Sequence, residues 1–206
     1  MKRCIIFTGG KPETKIPEGL DVEGAFIIAA DRGYKNCRKL GIMPDLAIGD
    51  FDSLKYVPKD CEQLTFPKEK DDTDLMLAVR EALARGYTDI TITAAMGGRF
   101  DHTFANIQTL AFIRSEGAWG RIYTNYESVM LVTAGTFRIP KREKYSLSLF
   151  AYSSEVHGLT IRGVKYPLED GTIAEIFPIG ISNEIIDDYA EISFDEGWLL
   201  IVQSKL

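Results

Sequence analysis

The sequence predicts an α/β chain in two parts: a mostly parallel, helix-flanked, Rossmann-like sheet domain over residues 1–126, then an antiparallel β-sandwich or barrel domain over residues 127–206. Three observations carry this expectation. Up to about Tyr126, short apolar runs alternate with segments of helical periodicity. Beyond it the helical period vanishes, and runs rich in Val, Ile, Tyr, Phe and Thr alternate with turn residues. In the first part, a polar cluster follows nearly every predicted strand, and a parallel sheet brings such clusters to one edge.

Composition bounds the options. The 206 residues are 45% hydrophobic and 26% charged, which suffices for one large or two small domains and excludes disordered and collagen-like classes. A net charge of −6 argues against a broad nucleic-acid footprint, so an anionic ligand must be met by local bases or a metal. Cys4, Cys37 and Cys61 lack CxxC spacing, and with His102 and His157 the only histidines a zinc site is poorly supported. Reduced thiols and a cytoplasmic location are expected. The apolar patch after Lys2-Arg3 is too short for a signal segment and stops at Thr8-Gly9-Gly10, and no stretch is long and apolar enough to span a membrane.

In chain order, residues 4–8 and 25–30 read as strands, the second ending at Asp31-Arg32-Gly33. A helix over 34–40 is closed by Gly41, with Pro44 beyond. Residues 46–49 form a third strand, and 63–66 a fourth. Acids then precede a helix running to Ala84 with Leu75, Met76, Val79 and Leu83 on one stripe. Residues 89–96 form a fifth strand leading into Gly97-Gly98-Arg99-Phe100-Asp101-His102. A helix over 103–114 with Phe104, Ile107 and Ala111 on one face precedes a sixth strand over 121–124. The β region offers strands at 129–133, 136–139, 145–151, 159–164, 190–194 and 198–203. The absence of a repeat or a long polar linker predicts that the two domains pack closely.

The central stretch is Leu46-Ala47-Ile48-Gly49-Asp50-Phe51-Asp52-Ser53, an apolar run that stops at a glycine and then presents two carboxylates. Two acids this close repel each other and need a cation or a set of donors, which makes Asp50 and Asp52 candidate metal ligands; an Asp-rich solvated turn is the alternative. Asp31, the Asp50/Asp52 pair, residues 68–74 and residues 97–102 all fall on the same predicted edge. Asp50, Asp52 and Asp74 offer hard oxygens suited to Mg²⁺, while Lys68, Lys70 and Arg99 supply positive charge. Gly97 and Gly98 let backbone N–H groups approach an anion just ahead of a helix. The combination suits phosphoryl-type transfer. Asp72 and Asp74 also fit the plain use of acids at a helix start, and His102 and His157 fit ordinary solvated positions. The EF-hand pattern, GxxxxGK[ST] and GxGxxG are not found. Asp50-Phe51-Asp52 also resembles the nucleophile motif of haloacid-dehalogenase-like phosphatases and the metal-binding motif of nucleotide-sugar glycosyltransferases.

Taken in order, Asp31-Arg32-Gly33, Gly49-Asp50-Phe51-Asp52-Ser53, Lys70-Asp71-Asp72-Thr73-Asp74 and Gly97-Gly98-Arg99-Phe100-Asp101-His102 resemble the thiamine pyrophosphokinases. Gly163-Val164-Lys165-Tyr166-Pro167-Leu168 and Gly180-Ile181-Ser182-Asn183-Glu184 resemble that family's thiamine-binding domain, so the match runs from about Ala25 to the C-terminus. Arg32 stands where members often carry glycine. The resemblance implies that ATP and thiamine give thiamine diphosphate and AMP with Mg²⁺, usually in a homodimer. It places Asp50, Asp52 and Asp74 on the metal and Lys68 and Arg99 on the phosphates, and it puts Ser182 and Asn183 on the aminopyrimidine. Asp101 or Asp31 accepts the hydroxyl proton or orients substrate, and the site is expected at the subunit interface. Pyrophosphoryl transfer to another acceptor such as a pterin alcohol, a metal-dependent phosphatase with Asp50 as nucleophile, and a noncatalytic nucleotide or thiamine sensor are the competing readings.

Overall fold

The structure, a computed structural model, describes residues 1–206 apart from Lys68 and Lys70. It is an α/β chain with three helices among the described residues. Two compact units divide it, Met1–Asn125 and Tyr126–Leu206.

The first unit runs β1 (Arg3–Phe7), β2 (Phe26–Ala30), α1 (Gly33–Lys39), β3 (Leu46–Gly49), β4 (Glu62–Thr65), α2 (Asp74–Ala84), β5 (Asp89–Thr93), α3 (Phe100–Ser115) and β6 (Trp119–Tyr123). Its strands lie in the order β6-β5-β1-β2-β3-β4, and every ladder is parallel. Continuous apolar runs produce this arrangement because the central strands are covered on both faces: Ile6, Phe7, Ile28, Leu46, Ile48 and Ile92 are each fully buried. The helix α2 starts where Thr73 Oγ1 accepts the Met76 N–H at 3.1 Å. It buries Leu75, Ala78, Val79 and Ala82, leaving Met76 and Leu83 half-buried, so the stripe expected from the large side chains is rotated toward two alanines. Alanines let the helix backbone sit close over β2 and β3. The helix α3 likewise buries Thr109, Leu110 and Ile113, while Phe104 is exposed. It begins three residues before the expected start, and Asp101 in its first turn suits the helix dipole. The strand β5 ends at Thr93 rather than at residue 96, because Ala94 turns into the left-handed region with φ 55°.

The second unit contains β7 (Glu127–Pro140), β8 (Tyr145–Ala151), β9 (Glu155–Arg162), β10 (Leu168–Ala174) and β11 (Tyr189–Lys205), paired antiparallel throughout. Two long strands replace the four short ones expected at 129–139 and 190–203. The turn residues around Gly135 and Gly197 bend these strands instead of ending them, and the β7–β11 register shifts between Phe194 and Trp198. Gly197 has φ 105°, which a side chain would resist, and the Trp198 N–H finds Ser153 Oγ at 2.9 Å. Past the bend, β11 exchanges partners: residues 191–193 pair with β9 and residues 199–205 with β8. The strand β10 is unannounced in the sequence because Glu169, Asp170 and Gly171 are poor strand formers; it is held by its pairing to β9 and by buried Ile173.

Gly33 shows how closely the first unit is built: a Cβ there would lie 1.8 Å from the Phe7 carbonyl oxygen, so α1 meets the end of β1 backbone to backbone. Gly33→Ala should therefore lower the unfolding free energy by about 2–4 kcal/mol in urea titrations. An unchanged midpoint and slope would show that α1 does not need this approach.

Candidate active site

The chain lays down β1 to β4 outward in one direction and then returns to set β5 on the other side of β1. This reversal opens a crevice at the carboxyl ends of β1 and β5, the place where open α/β sheets bind ligands. A cleft of about 740 Å³ lies there. Residues 8–11 behind β1, Asp31 and Arg32 behind β2, Asp50 behind β3, residues 72–75 at the start of α2 and residues 95–99 behind β5 all line it.

Asp31, Asp50 and Asp72 are each held by their own local bonds. Asp31 has φ 45°, its N–H donates to the Ile48 carbonyl at 2.7 Å, and its carboxylate accepts the Ser53 hydroxyl at 2.6 Å. Asp50 Oδ1 accepts the Asp52 N–H at 3.0 Å in an Asx turn. Between them Phe51, with φ 58°, drives its ring into the core beside Ile5, Phe7 and Tyr34 and so fixes the acid loop. Asp72 accepts from Arg80 Nε at 3.0 Å, and Asp74 is the first residue of α2.

Arg99 caps α3 without a side-chain cap bond and turns its fork on Asp101, Nε donating to Oδ1 at 3.1 Å and Nη2 to Oδ2. The guanidinium holds the Asp101 carboxyl below the usual carboxylate range, and the carboxylate raises Arg99 in turn. Both side chains are mostly solvated, so the pair orients Arg99 more than it stabilises the fold.

The structure thus brings Asp31, Asp50, Asp74, Gly97, Gly98 and Arg99 to one cleft. Asp52 and Asp101 are exposed beside it and do not line it. Lys68 lies outside the described residues, as does Lys70. Among the described residues no three carboxylate, His or Cys side chains stand close enough to hold one ion. The donor set nonetheless fits Mg²⁺, which characteristically takes one or two carboxylates, several waters and the substrate's phosphates instead of an all-protein cage.

Residues 8–11 and Asn106 enter the site without any expectation from the sequence. Asn106 Nδ2 donates to the Ala95 carbonyl at 2.7 Å and steadies the loop behind β5. The signal the sequence offers for residues 8–11 is a Gly-Gly-Lys run directly behind a strand.

In the second unit an apolar cavity of about 230 Å³ is lined by Leu147, Leu159, Tyr166, Ile179, Ile181 and Asn183, among others. Asn183 Oδ1 accepts the N–H groups of Tyr166 at 3.0 Å and Glu184 at 2.9 Å, and Nδ2 donates to the Tyr166 carbonyl at 2.8 Å. Both acceptor sites are therefore used, and one amide proton remains for a ligand. Ser182 sits exposed at φ 59°, its N–H on Ser148 Oγ at 3.0 Å.

Comparison with known proteins adds an independent line. Residues 22–118 match the family model for the thiamin pyrophosphokinase catalytic domain, and residues 136–199 match that for the thiamin pyrophosphokinase vitamin B1 binding domain. The chain is 34% identical over 213 residues to the thiamine pyrophosphokinase of Bacillus subtilis, spanning 99% of each chain. Its fold is similar to the crystal structure of thiamine pyrophosphokinase from Bacillus subtilis, with a TM-score of 0.88 and 31% identity across 100% of each chain. A thiamin pyrophosphokinase family protein from Enterococcus faecalis superposes with a TM-score of 0.85 at 33% identity, again over 100% of each chain. With its edge of acids, its Arg99 fork and both domain matches in sequence order, the chain belongs to the thiamine pyrophosphokinase family.

Proposed function

We propose that this chain transfers the pyrophosphoryl group of ATP to the primary hydroxyl of thiamine, giving thiamine diphosphate and AMP. The observation that carries the reading is the cleft at the carboxyl edge of the parallel sheet, where Asp50, Asp74 and Arg99 face one space in a member of this family. Asp50 and Asp74, with Asp52 beside them, are the residues proposed to hold Mg²⁺, whose chemistry when bound is to neutralise and orient the phosphates. Arg99, oriented by Asp101 through Nε and one Nη2 proton, keeps its other Nη protons, which are proposed to bind phosphate oxygens, and Lys68 is proposed as a second phosphate cation. The Gly97-Gly98 turn brings backbone close to the same anion.

The thiamine oxygen bonds to the β-phosphorus, the bond to the α,β-bridging oxygen breaks, and its electron pair leaves on AMP. The hydroxyl proton goes to Asp31: its carboxylate lines the cleft and is engaged by one hydroxyl, whereas Asp101 stands outside and is committed to Arg99. Positioning and charge neutralisation supply most of the acceleration. In the second unit, the apolar wall of Tyr166, Ile179 and Ile181 suits an aromatic ring, with the remaining Asn183 amide proton for its polar edge; Ser182, exposed and next to Ile181 in the chain but not in the cavity lining, is proposed as a second polar contact. The reading also includes a cytoplasmic homodimer, a Rossmann-like first domain and a β-sandwich second domain divided near Tyr126. Among the described residues no helix is long and apolar enough to cross a membrane.

Product analysis with ATP, thiamine and Mg²⁺ should yield thiamine diphosphate and AMP in equal amounts, and chelation of the metal should stop both. ADP as the nucleotide product, or inorganic phosphate released without thiamine, would replace this reading by another transferase or a phosphatase. Arg99→Lys keeps the charge and loses the fork, so kcat/KM should fall by roughly a hundredfold or more. Near-normal kinetics would remove Arg99 from the phosphates.

The dimer reading assigns each site an acid edge from one subunit and a Ser182-Asn183 segment from the other. Asp50→Asn and a Ser182→Ala/Asn183→Ala double substitution should then each be inactive, and re-equilibrated mixtures should recover up to about half the wild-type activity per heterodimer. Heterodimers that form, as seen by mass spectrometry, yet stay inactive would place both halves on one chain.

A further inference from the structure

We infer that Lys11 and Arg32, flanking the Gly9-Gly10 turn behind β1, form a second cationic arm of the cleft that binds the polyphosphate of the nucleotide. The inference rests on the ATP-dependent reading above and adds residues to it.

The segment between β1 and β2 is long and without regular structure, yet it is fixed at both ends of its cleft-lining part. At its root, Thr8 donates its N–H to the Thr93 carbonyl at 3.1 Å and its hydroxyl to the Ala94 carbonyl at 2.6 Å, while its own carbonyl accepts Asn36 Nδ2 at 2.7 Å. Further on, buried Glu13 accepts from the Asn125 side chain and backbone. The turn between these anchors is held in place before any ligand arrives. A Cβ on Gly10 would lie 2.1 Å from the Ala94 carbonyl oxygen, so only glycine lets the turn approach the end of β5. The same measurement places both cations: a Cβ on Gly9 would stand 2.9 Å from Arg32 Cβ, and one on Gly97 would stand 3.2 Å from Lys11 Cδ. Lys11 therefore lies against the loop behind β5 and Arg32 against the turn behind β1, on the two sides of the switch point, and both line the cleft.

Charge decides what they bind. The cleft already holds Asp31, Asp50, Asp72 and Asp74, and the fork of Arg99 is shared with Asp101. A triphosphate adds several more negative charges to those of the acids, and the wall that accepts it gains from positive charge beyond Arg99, Lys68 and the metal proposed above. Thiamine is a cation and offers Lys11 and Arg32 no anionic group to bind, so the arm acts on the nucleotide. The arm acts on binding of the triphosphate, not on the nucleoside.

The test is calorimetric binding of Mg-ATP and of AMP to wild type, Lys11→Gln, Arg32→Gln and the double variant, alongside the KM for thiamine. Each single substitution should weaken Mg-ATP binding by roughly five- to tenfold, a tenfold loss being ~1.4 kcal/mol, with AMP binding changed by less than about twofold. Lys11→Arg should retain most of the affinity, and the KM for thiamine should stay as in wild type. Both positions are exposed, so melting temperatures should not move. Mg-ATP affinity within about twofold of wild type in the double variant, or equal losses for AMP and ATP, would overturn the inference. Wild-type protein that binds Mg-ATP but makes no thiamine diphosphate would overturn the proposed reaction and leave the arm standing. Wild-type protein that fails to bind Mg-ATP would overturn both.

Discussion

The position of β1 between β2 and β5 is the constraint on which the cleft-lining edge depends. Its residues pair on both sides and are buried, so its carboxyl end can leave the sheet only into the crevice that the reversal of strand order creates. Thr8 turns that topological fact into a fixed point. Its three bonds, to Thr93, Ala94 and Asn36, join the ends of β1 and β5 to α1 in a place shielded from water, where losing any partner leaves a buried polar group unsatisfied. Gly33, packed against the Phe7 carbonyl, sets α1 at the distance that lets Asn36 reach Thr8.

Around this point the edge is shaped by backbone conformations that side chains ordinarily avoid. Asp31, Phe51 and Ala94 all have positive φ, and each follows a strand of the same sheet. Such residues cost on the order of 1–3 kcal/mol apiece and persist only where the surroundings determine them. The surroundings do so here by different means: Asp31 through the Ile48 carbonyl and the Tyr34 N–H, Phe51 through burial of its ring, Ala94 through the Thr8 hydroxyl. The effect is common to all three. The chain turns sharply at the strand end, and the polar residues next to each turn are delivered to the rim instead of running on with the strand.

The parts of this arrangement written locally are legible in the sequence, and those written at a distance are not. Apolar runs, glycine stops and acids behind strands need only neighbouring residues, so the strands and helices of the first unit and the clusters at Asp31, Asp50, Asp74 and Gly97 can be read directly. The role of residues 8–11 cannot, because it depends on β1 pairing with β5, whose residues lie far along the chain. Gly135 and Gly197 mislead for a related reason: glycine marks a turn and a strand bend equally well, and only the pairing with a continuous partner selects the bend. On α2, large side chains draw attention to Met76 and Leu83, whereas close packing on the sheet favours Ala78 and Ala82. Asn183 reads as a turn residue or a ligand contact, and the structure shows its oxygen engaged by the backbone at Tyr166 and Glu184, which rigidifies the segment that presents its last amide proton.

The acids of the edge follow one electrostatic logic. Carboxylates crowded around a single point repel one another, and a cage that overcomes this needs the ion as part of the fold. Here four of the acids have separate partners: Ser53 for Asp31, the Asp52 N–H for Asp50, Arg80 for Asp72 and Arg99 for Asp101. These four carboxylates are thus spread along the rim and each met by its own donor, which orders that part of the edge by the chain's own bonds. For a reaction in which metal and triphosphate arrive together, this arrangement is suited to its task. In the proposed reaction the protein supplies one or two hard oxygens and a few cations, and the substrate's own phosphates complete the coordination. In that reading, the energy of assembling the charged centre is realised when the nucleotide binds.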